Sequence, residues 1–241
     1  MDILYTVFCA AVVIGFLVFI HEGGHYLAAR AFKVRVTEFM IGLPGPNVGF
    51  TRNGTKFGLT AIPLGGYARV CGMETGAMSP HLEGALASVY RRGAATMEEV
   101  AHDCGIDDED AYEALEELVE WGSVTAPKRS DEFNTYRTPA FEPTRAQRVF
   151  ARRHCACVPE AVEEGSPRDV ADPSALFQSE YRQQYRSLPF WKRSVIVLAG
   201  IAVNLLFAML AFVVIYSVIG VDVANPQTGG VVHYNATPIQ S

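Results

Sequence analysis

The sequence predicts a membrane protein with two transmembrane helices, a membrane-associated β-hairpin region and a cytosolic α+β insert of winged-helix-like pattern. Three observations carry this prediction. Residues Ile3–Ile20 contain no charged side chain, and Ser194–Val221 form a second, longer uncharged run. Every one of the 20 Lys and Arg residues lies between Arg30 and Arg193. Short basic flanks are retained on the cytoplasmic side of a bilayer, so this sorting of charge describes two spans joined by one cytosolic segment. The composition agrees. Charged residues are 19% of the 241, against roughly 25% in soluble proteins. Disorder, collagen and a pure coiled coil are excluded by the 49% hydrophobic content. A net charge of −6 argues against nucleic acid as a partner.

As a helix, Ile3–Ile20 rises about 27 Å, close to the roughly 30 Å hydrocarbon core. A cleaved signal peptide would need a basic start, yet the only charge ahead of the run is Asp2. No small-x-small cleavage site follows it, so the run reads as an uncleaved anchor. Arg30, Lys33 and Arg35 follow the first span, and Arg182, Arg186, Lys192 and Arg193 precede the second. The N-terminus and the C-terminal tail are therefore expected outside, with residues 30–193 in the cytoplasm. Trp191, beside Lys192 and Arg193, suits an interfacial anchor. The cysteines number 5, an odd total, and four of them lie in this cytosolic segment, both of which argue against a disulfide framework. His154-Cys155-Ala156-Cys157 could bind metal but lacks the second pair that a zinc site of this kind uses.

His21-Glu22-Gly23-Gly24-His25 matches H-E-x-x-H. On a helix, positions i and i+4 share a face, so both imidazoles can reach one Zn²⁺. Glu22 projects beside them and can take a proton from metal-bound water, whose pKa zinc lowers towards neutrality. The motif directly continues an uncharged span, where ionisable groups are expensive and mark function. An ordinary interfacial cluster at the end of a span is the plainer alternative. Gly23 and Gly24 are poor helix formers in water but permit close approach of another helix or of a substrate backbone. Asn204, about 15 Å into the second run, needs a partner at that depth. It reads as a helix-packing contact or as a substrate-binding amide facing the site.

The chain resembles the site-2 protease family of intramembrane zinc metalloproteases, in the branch that includes the bacterial regulator-of-sigma-E proteases. The resemblance rests on four stretches: Phe19–Arg30 around the HExxH; Phe39–Pro46; Leu59–Val70 with Gly72-Met73-Glu74; and Pro189–Arg193 running into Gly200-Ile201-Ala202-Val203-Asn204. They fall within residues 1–75 and 188–241. Where the family usually has Pro after the Gly of the second span, this chain has Ile201. The resemblance implies a zinc endopeptidase of the bacterial inner or plasma membrane, with His21 and His25 on the metal and Glu22 as general base. It implies transmembrane protein substrates such as anti-sigma factors or remnant signal peptides, cleaved within the lipid bilayer. The family's third ligand, an Asp in an Asp-Gly pair on a later membrane helix, has no counterpart, because the sequence contains no Asp-Gly. The 241 residues by themselves are therefore expected to bind zinc weakly and to be inactive. Gln227–Pro238 resembles the opening strand of an extracytoplasmic PDZ domain and, as a lone strand, is expected to be disordered or loosely docked.

Between the spans, Pro44-Gly45-Pro46, Asn53-Gly54 and Gly65-Gly66 punctuate short alternating runs, and Asn53-Gly54 predicts a hairpin. By resemblance this region is a membrane-associated loop presenting substrate as an extended strand; an ordinary cytosolic hairpin is the alternative. Further on, a helix is expected from about His81 to Arg92. Thr96-Met97-Glu98-Glu99 is a capping box opening a helix through His102. Asp107-Asp108-Glu109-Asp110 caps another helix to Trp121, with Ala111, Tyr112, Leu115, Leu118 and Val119 on one face. Gly122 stops it, and Ser123–Ala126 and Phe133–Thr138 read as two strands. This order resembles a winged helix. From His81 to Pro139, however, 14 acids face 5 bases, so phosphates would be repelled and protein contact or a spacer is expected.

The expected divisions are 1–35 first span, 36–76 β-loop, 79–139 acidic insert, 140–188 linker, 189–221 second span and 222–241 start of a PDZ domain. A second functional class stays open: a non-catalytic membrane adaptor whose insert recruits a cytosolic partner.

Overall fold

The computed structural model describes residues 3–62, 65–73, 76–128, 131, 133–141, 161–224 and 231–234. Two long helices dominate it. α1 (Ile3–Ala31) contains the first apolar run and continues through the HExxH. α6 (Phe190–Val214) carries the second and ends in a π-helical turn, Ile215–Ile219. Both are long and apolar enough to cross a membrane. They pack antiparallel, since Phe16 meets Phe207 edge to face and Gly24 lies against Ala199 and Gly200. Outward-facing positions such as Phe8, Val12, Leu206 and Met209 are more than half exposed, as residues facing lipid would be.

Beyond α1 the chain folds into a four-stranded sheet. Its strands are β1 (Val36–Ile41), β2 (Asn47–Arg52), β3 (Thr55–Thr60) and β4 (Gly66–Val70). The order is β2-β3-β1-β4, with β1 parallel to β3 and the other pairs antiparallel. The expected Asn53-Gly54 hairpin joins β2 to β3. Both turn residues have positive φ, 51° and 76°, the conformation that makes Asn-Gly suited to a two-residue hairpin loop. β4 is an edge strand lying against α1. An aromatic row of Phe19, Phe39, Tyr26 and Phe57, with centroids 5.5 to 5.8 Å apart, seats the sheet on that helix.

The insert contains α2 (Leu82–Arg92), β5 (Ala94–Thr96), α3 (Met97–Cys104), α4 (Asp108–Glu120) and β6 (Thr135–Arg137). Thr96 makes the full capping box with Glu99, and Asp107 caps α4 through Asp110 N–H. Leu82, Leu86, Val89, Val100, Leu115, Leu118 and Trp121 form its core. The strand pairing differs from expectation. β6 pairs with β5, and of the run Ser123–Ala126 only Thr125 bridges to Arg137. The start of that run is drawn elsewhere. Arg35 Nη1 donates to the Trp121 carbonyl and to Ser123 Oγ, and it pairs with Glu180 at 2.8 Å. The Ser123 hydroxyl donates to the same carboxylate at 2.6 Å.

Part of the stretch expected to be a linker is folded. α5 (Pro173–Tyr181) starts at Asp172, whose carboxylate accepts from Ser174 and Ala175 N–H, with Pro173 at the first helical position. Its Phe177 and Tyr181 pack against Trp121 of the insert with tilted rings. The sparse periodicity of 140–188 hid this short helix, which is held by one aromatic face. In the tail, β7 (Val221–Ala224) pairs with β8 (Val231–Tyr234), so the expected lone strand has a partner. His154, Cys155 and Cys157 lie outside the described residues, as does the remainder of the tail.

Candidate active site

The HExxH falls on the inner turns of α1, opposite the middle of α6. Two glycines permit the approach. A Cβ on Gly24 would sit 2.7 Å from the Ala199 carbonyl oxygen, and one on Gly200 would sit 2.5 Å from His25 Nε2 and 2.8 Å from His21 Nε2. Real Cβ contacts are never that short, so any side chain at either position would part the helices or push the imidazoles away. Gly23, by contrast, meets nothing within 4 Å.

His21 and His25 present Nε2 atoms to each other at 3.3 Å. That is about the edge of a tetrahedron whose metal–nitrogen bonds are ~2.0 Å, the geometry of zinc. The far nitrogen of His25 is fixed. Its Nδ1–H donates to the Ile196 carbonyl at 2.7 Å, which leaves Nε2 with a lone pair. His21 Nδ1 lies 3.3 Å from the Asn204 amide, whose Oδ1 is buried without a partner. Turning that amide through 180° offers Oδ1 to a proton on His21 Nδ1 and frees Nε2 for a metal. The donor set fits zinc. Among the described residues, no group of three His, Cys, Asp or Glu side chains is placed to hold a metal.

Glu22 faces the sheet. Its Oε2 accepts from the Ala68 N–H of β4 at 3.0 Å. Gly66 brings the strand close, since a Cβ there would lie 3.0 Å from the Met40 carbonyl and 3.7 Å from Glu22 Cγ. The structure thus gathers His21, Glu22 and His25, and sets Asn204 against His21. The sequence reading gave no role to Ile196, Gly200 or Ala68, although Gly200 and Ala68 lie within the stretches that carry the family resemblance; Ile196 and Ala68 act through the backbone and leave no side-chain signal.

A sequence model for the family described as peptidase family M50 matches residues 9–238. The chain belongs to peptidase family M50. These are the site-2 proteases, membrane-embedded metallopeptidases, in keeping with the two membrane-length helices. Curated relatives agree. A "putative zinc metalloprotease" of Fusobacterium nucleatum is 44% identical over 72 residues, 30% of this chain and 21% of that protein. One of Agrobacterium fabrum is 48% identical over 66 residues, 27% and 18% respectively. One of Chlamydia trachomatis is 43% identical over 74 residues, 31% and 12%. The matched part thus spans about a fifth or less of each relative's length. Zinc, the metal in these names, is the one the two imidazoles fit.

Proposed function

We propose that this chain carries the zinc-binding and proton-transferring part of an intramembrane metalloendopeptidase acting on single-pass transmembrane proteins. The observation that carries the reading is the 3.3 Å separation of His21 and His25 Nε2 at the crossing of two membrane-length helices, with Glu22 between them in sequence. When bound there, zinc would polarise a carbonyl and lower the pKa of a water. The residues of the chain do the rest. His21 and His25 orient the metal through their Nε2 atoms. Glu22 accepts a proton on its carboxylate, which the Ala68 N–H holds through Oε2, and returns it to the leaving amine. β4 offers an edge beside Glu22, along which an extended substrate segment can pair, so that the scissile bond arrives next to the carboxylate. We assign Asn204 to His21 rather than to substrate, because its amide is within reach of Nδ1. The third protein ligand is placed outside the described residues.

The finer assignments follow the same reading. Substrates are anti-sigma factors or remnant signal peptides, residues 30–193 face the cytoplasm, and 222–241 opens a PDZ domain. The 79–139 insert is a winged-helix-like protein-contact module. In the whole protease, Glu22→Gln is expected to abolish cleavage of a model transmembrane substrate while zinc stays bound. Turnover retained by that variant would remove Glu22 from the chemistry.

A further inference from the structure

Away from the active site, a cavity of about 510 Å³ opens where α1, the β2–β3 turn and the insert meet. Three arginines line it, Arg30, Arg35 and Arg168, against one acidic residue, Glu180. Arg35 is neutralised by Glu180 at 2.8 Å and held by the Trp121 carbonyl and by Gln183. Among the described residues, no carboxylate pairs with the other two. Arg30 is exposed at the end of α1 with no ion-pair partner among the described residues. Arg168 donates through Nη2 to the Pro139 carbonyl and lies 5.0 Å over the Tyr90 ring, yet its Nε is buried with no hydrogen-bond partner. A buried N–H on a cation without an acceptor is a costly arrangement, and a bidentate oxyanion is what a guanidinium fork fits.

The height of the cavity narrows the ligand. Two residues after Arg30, Phe32 meets Trp191 edge to face at 5.7 Å, and Lys192 Nζ lies 5.6 Å from the Phe32 ring centre and 5.4 Å from that of Trp191. Aromatic rings topped by a lysine at the end of a membrane-length helix mark the headgroup level of a bilayer. We propose that this cavity binds a phosphate group through Arg30 and Arg168, and that the phosphate is the headgroup of an anionic lipid of the leaflet at the Arg30 end of α1. The proposal rests on α1 spanning a membrane and is independent of the protease reading. A lipid bound there touches the membrane helix and the insert at once.

The test uses the full chain in phosphatidylcholine nanodiscs, titrated with phosphatidylglycerol, for the parent and for Arg30→Gln, Arg168→Gln and Lys33→Gln. Lys33 is exposed near the same level but does not line the cavity. Each cavity substitution should weaken binding at least about tenfold, the worth of a lost hydrogen bond to a charged group, and Lys33→Gln no more than about fivefold, the worth of one basic residue acting only through the surface charge. Because Arg168 also holds backbone, Arg30→Gln, which removes no internal contact, must show the loss as well. Equal losses in all three variants would reduce the effect to diffuse surface charge, and no loss in Arg30→Gln would empty the site; either overturns the proposal. Inorganic phosphate is the second arm. Failure to compete supports the lipid, and full displacement at the concentration where the lipid binds would overturn the lipid in favour of free phosphate.

Discussion

The Asn204 amide stands 3.3 Å from His21 Nδ1, across the interface of two helices whose sequence positions differ by 183. A histidine that ligates through Nε2 must carry its proton on Nδ1, so the group facing Nδ1 has to be an acceptor. Asn204 has that acceptor in Oδ1, an atom otherwise buried without a partner.

The first prediction concerns that acceptor. Asn204→Leu keeps the bulk and removes the oxygen, and is expected to weaken zinc binding roughly 10- to 100-fold. Asn204→Asp keeps an acceptor and should bind zinc at least as well as the parent. A second readout needs no metal: in ¹⁵N-histidine spectra, His21 should populate the Nδ1–H tautomer less in Asn204→Leu than in Asn204→Asp. Identical spectra and identical affinities in both variants would reduce Asn204 to a packing residue.

A second prediction concerns the crossing. Gly200→Ala places a methyl 2.5 Å from His25 Nε2 and 2.8 Å from His21 Nε2. One methyl in a packed contact costs about 1–3 kcal/mol through displacement of its neighbours, here the two imidazoles. Zinc affinity should fall at least ~10-fold while helix content stays as in the parent. Gly23→Ala, at a position facing open space, should be close to neutral in both measurements.

Local features were legible in the sequence, and long-range ones were not. The HExxH, the Asn53-Gly54 turn and the Thr96 and Asp107 caps each depend on residues within about five positions, so spacing alone announces them. Asp172-Pro173 is an equally local helix start that the reading passed over, because too few apolar positions followed it. The pairing of Arg35 with Glu180, 145 positions apart, and the donation from Ala68 N–H to Glu22 depend on tertiary packing. β6 pairs along its length with β5 and meets Ser123–Ala126 only at Thr125, and the start of that run, at Gly122–Ser123, is held against Arg35 by a contact that has no local signature.

A third prediction tests orientation. With residues 30–193 in the cytoplasm, a cysteine placed at Gln227 should react with an impermeant thiol reagent added to intact cells, and one placed at Ser130 should react only after lysis. The reverse pattern would invert the topology and move the Arg30 cavity to the opposite leaflet.

The last prediction is a pH dependence within the insert. Arg92 grips Asp103 bidentately, Nε to Oδ2 and Nη2 to Oδ1, each at 2.7 Å, and the Ser88 hydroxyl adds a third bond at 2.7 Å. The Arg92 hydrogen bonds, followed by that from Ser88, hold the Asp103 carboxyl well below the usual carboxylate range. A group whose folded pKa is depressed adds stability that is fully present above its unfolded value of about 3.9 and is lost as pH falls towards the folded one. Because the other acids of the insert titrate in the same window, the informative quantity is the difference between the parent and Asp103→Asn. Unfolding followed by Trp121 fluorescence in a Trp191→Phe background reports on the insert core, in which Trp121 is buried. The parent should exceed the variant by about 1 kcal/mol at pH 7, the scale of a partly exposed ion pair, and the gap should narrow steadily below about pH 4. A gap constant from pH 7 to pH 2.5 would show that the α2–α3 contact owes its stability to packing of Leu86, Val89 and Val100, and that the charges contribute nothing measurable.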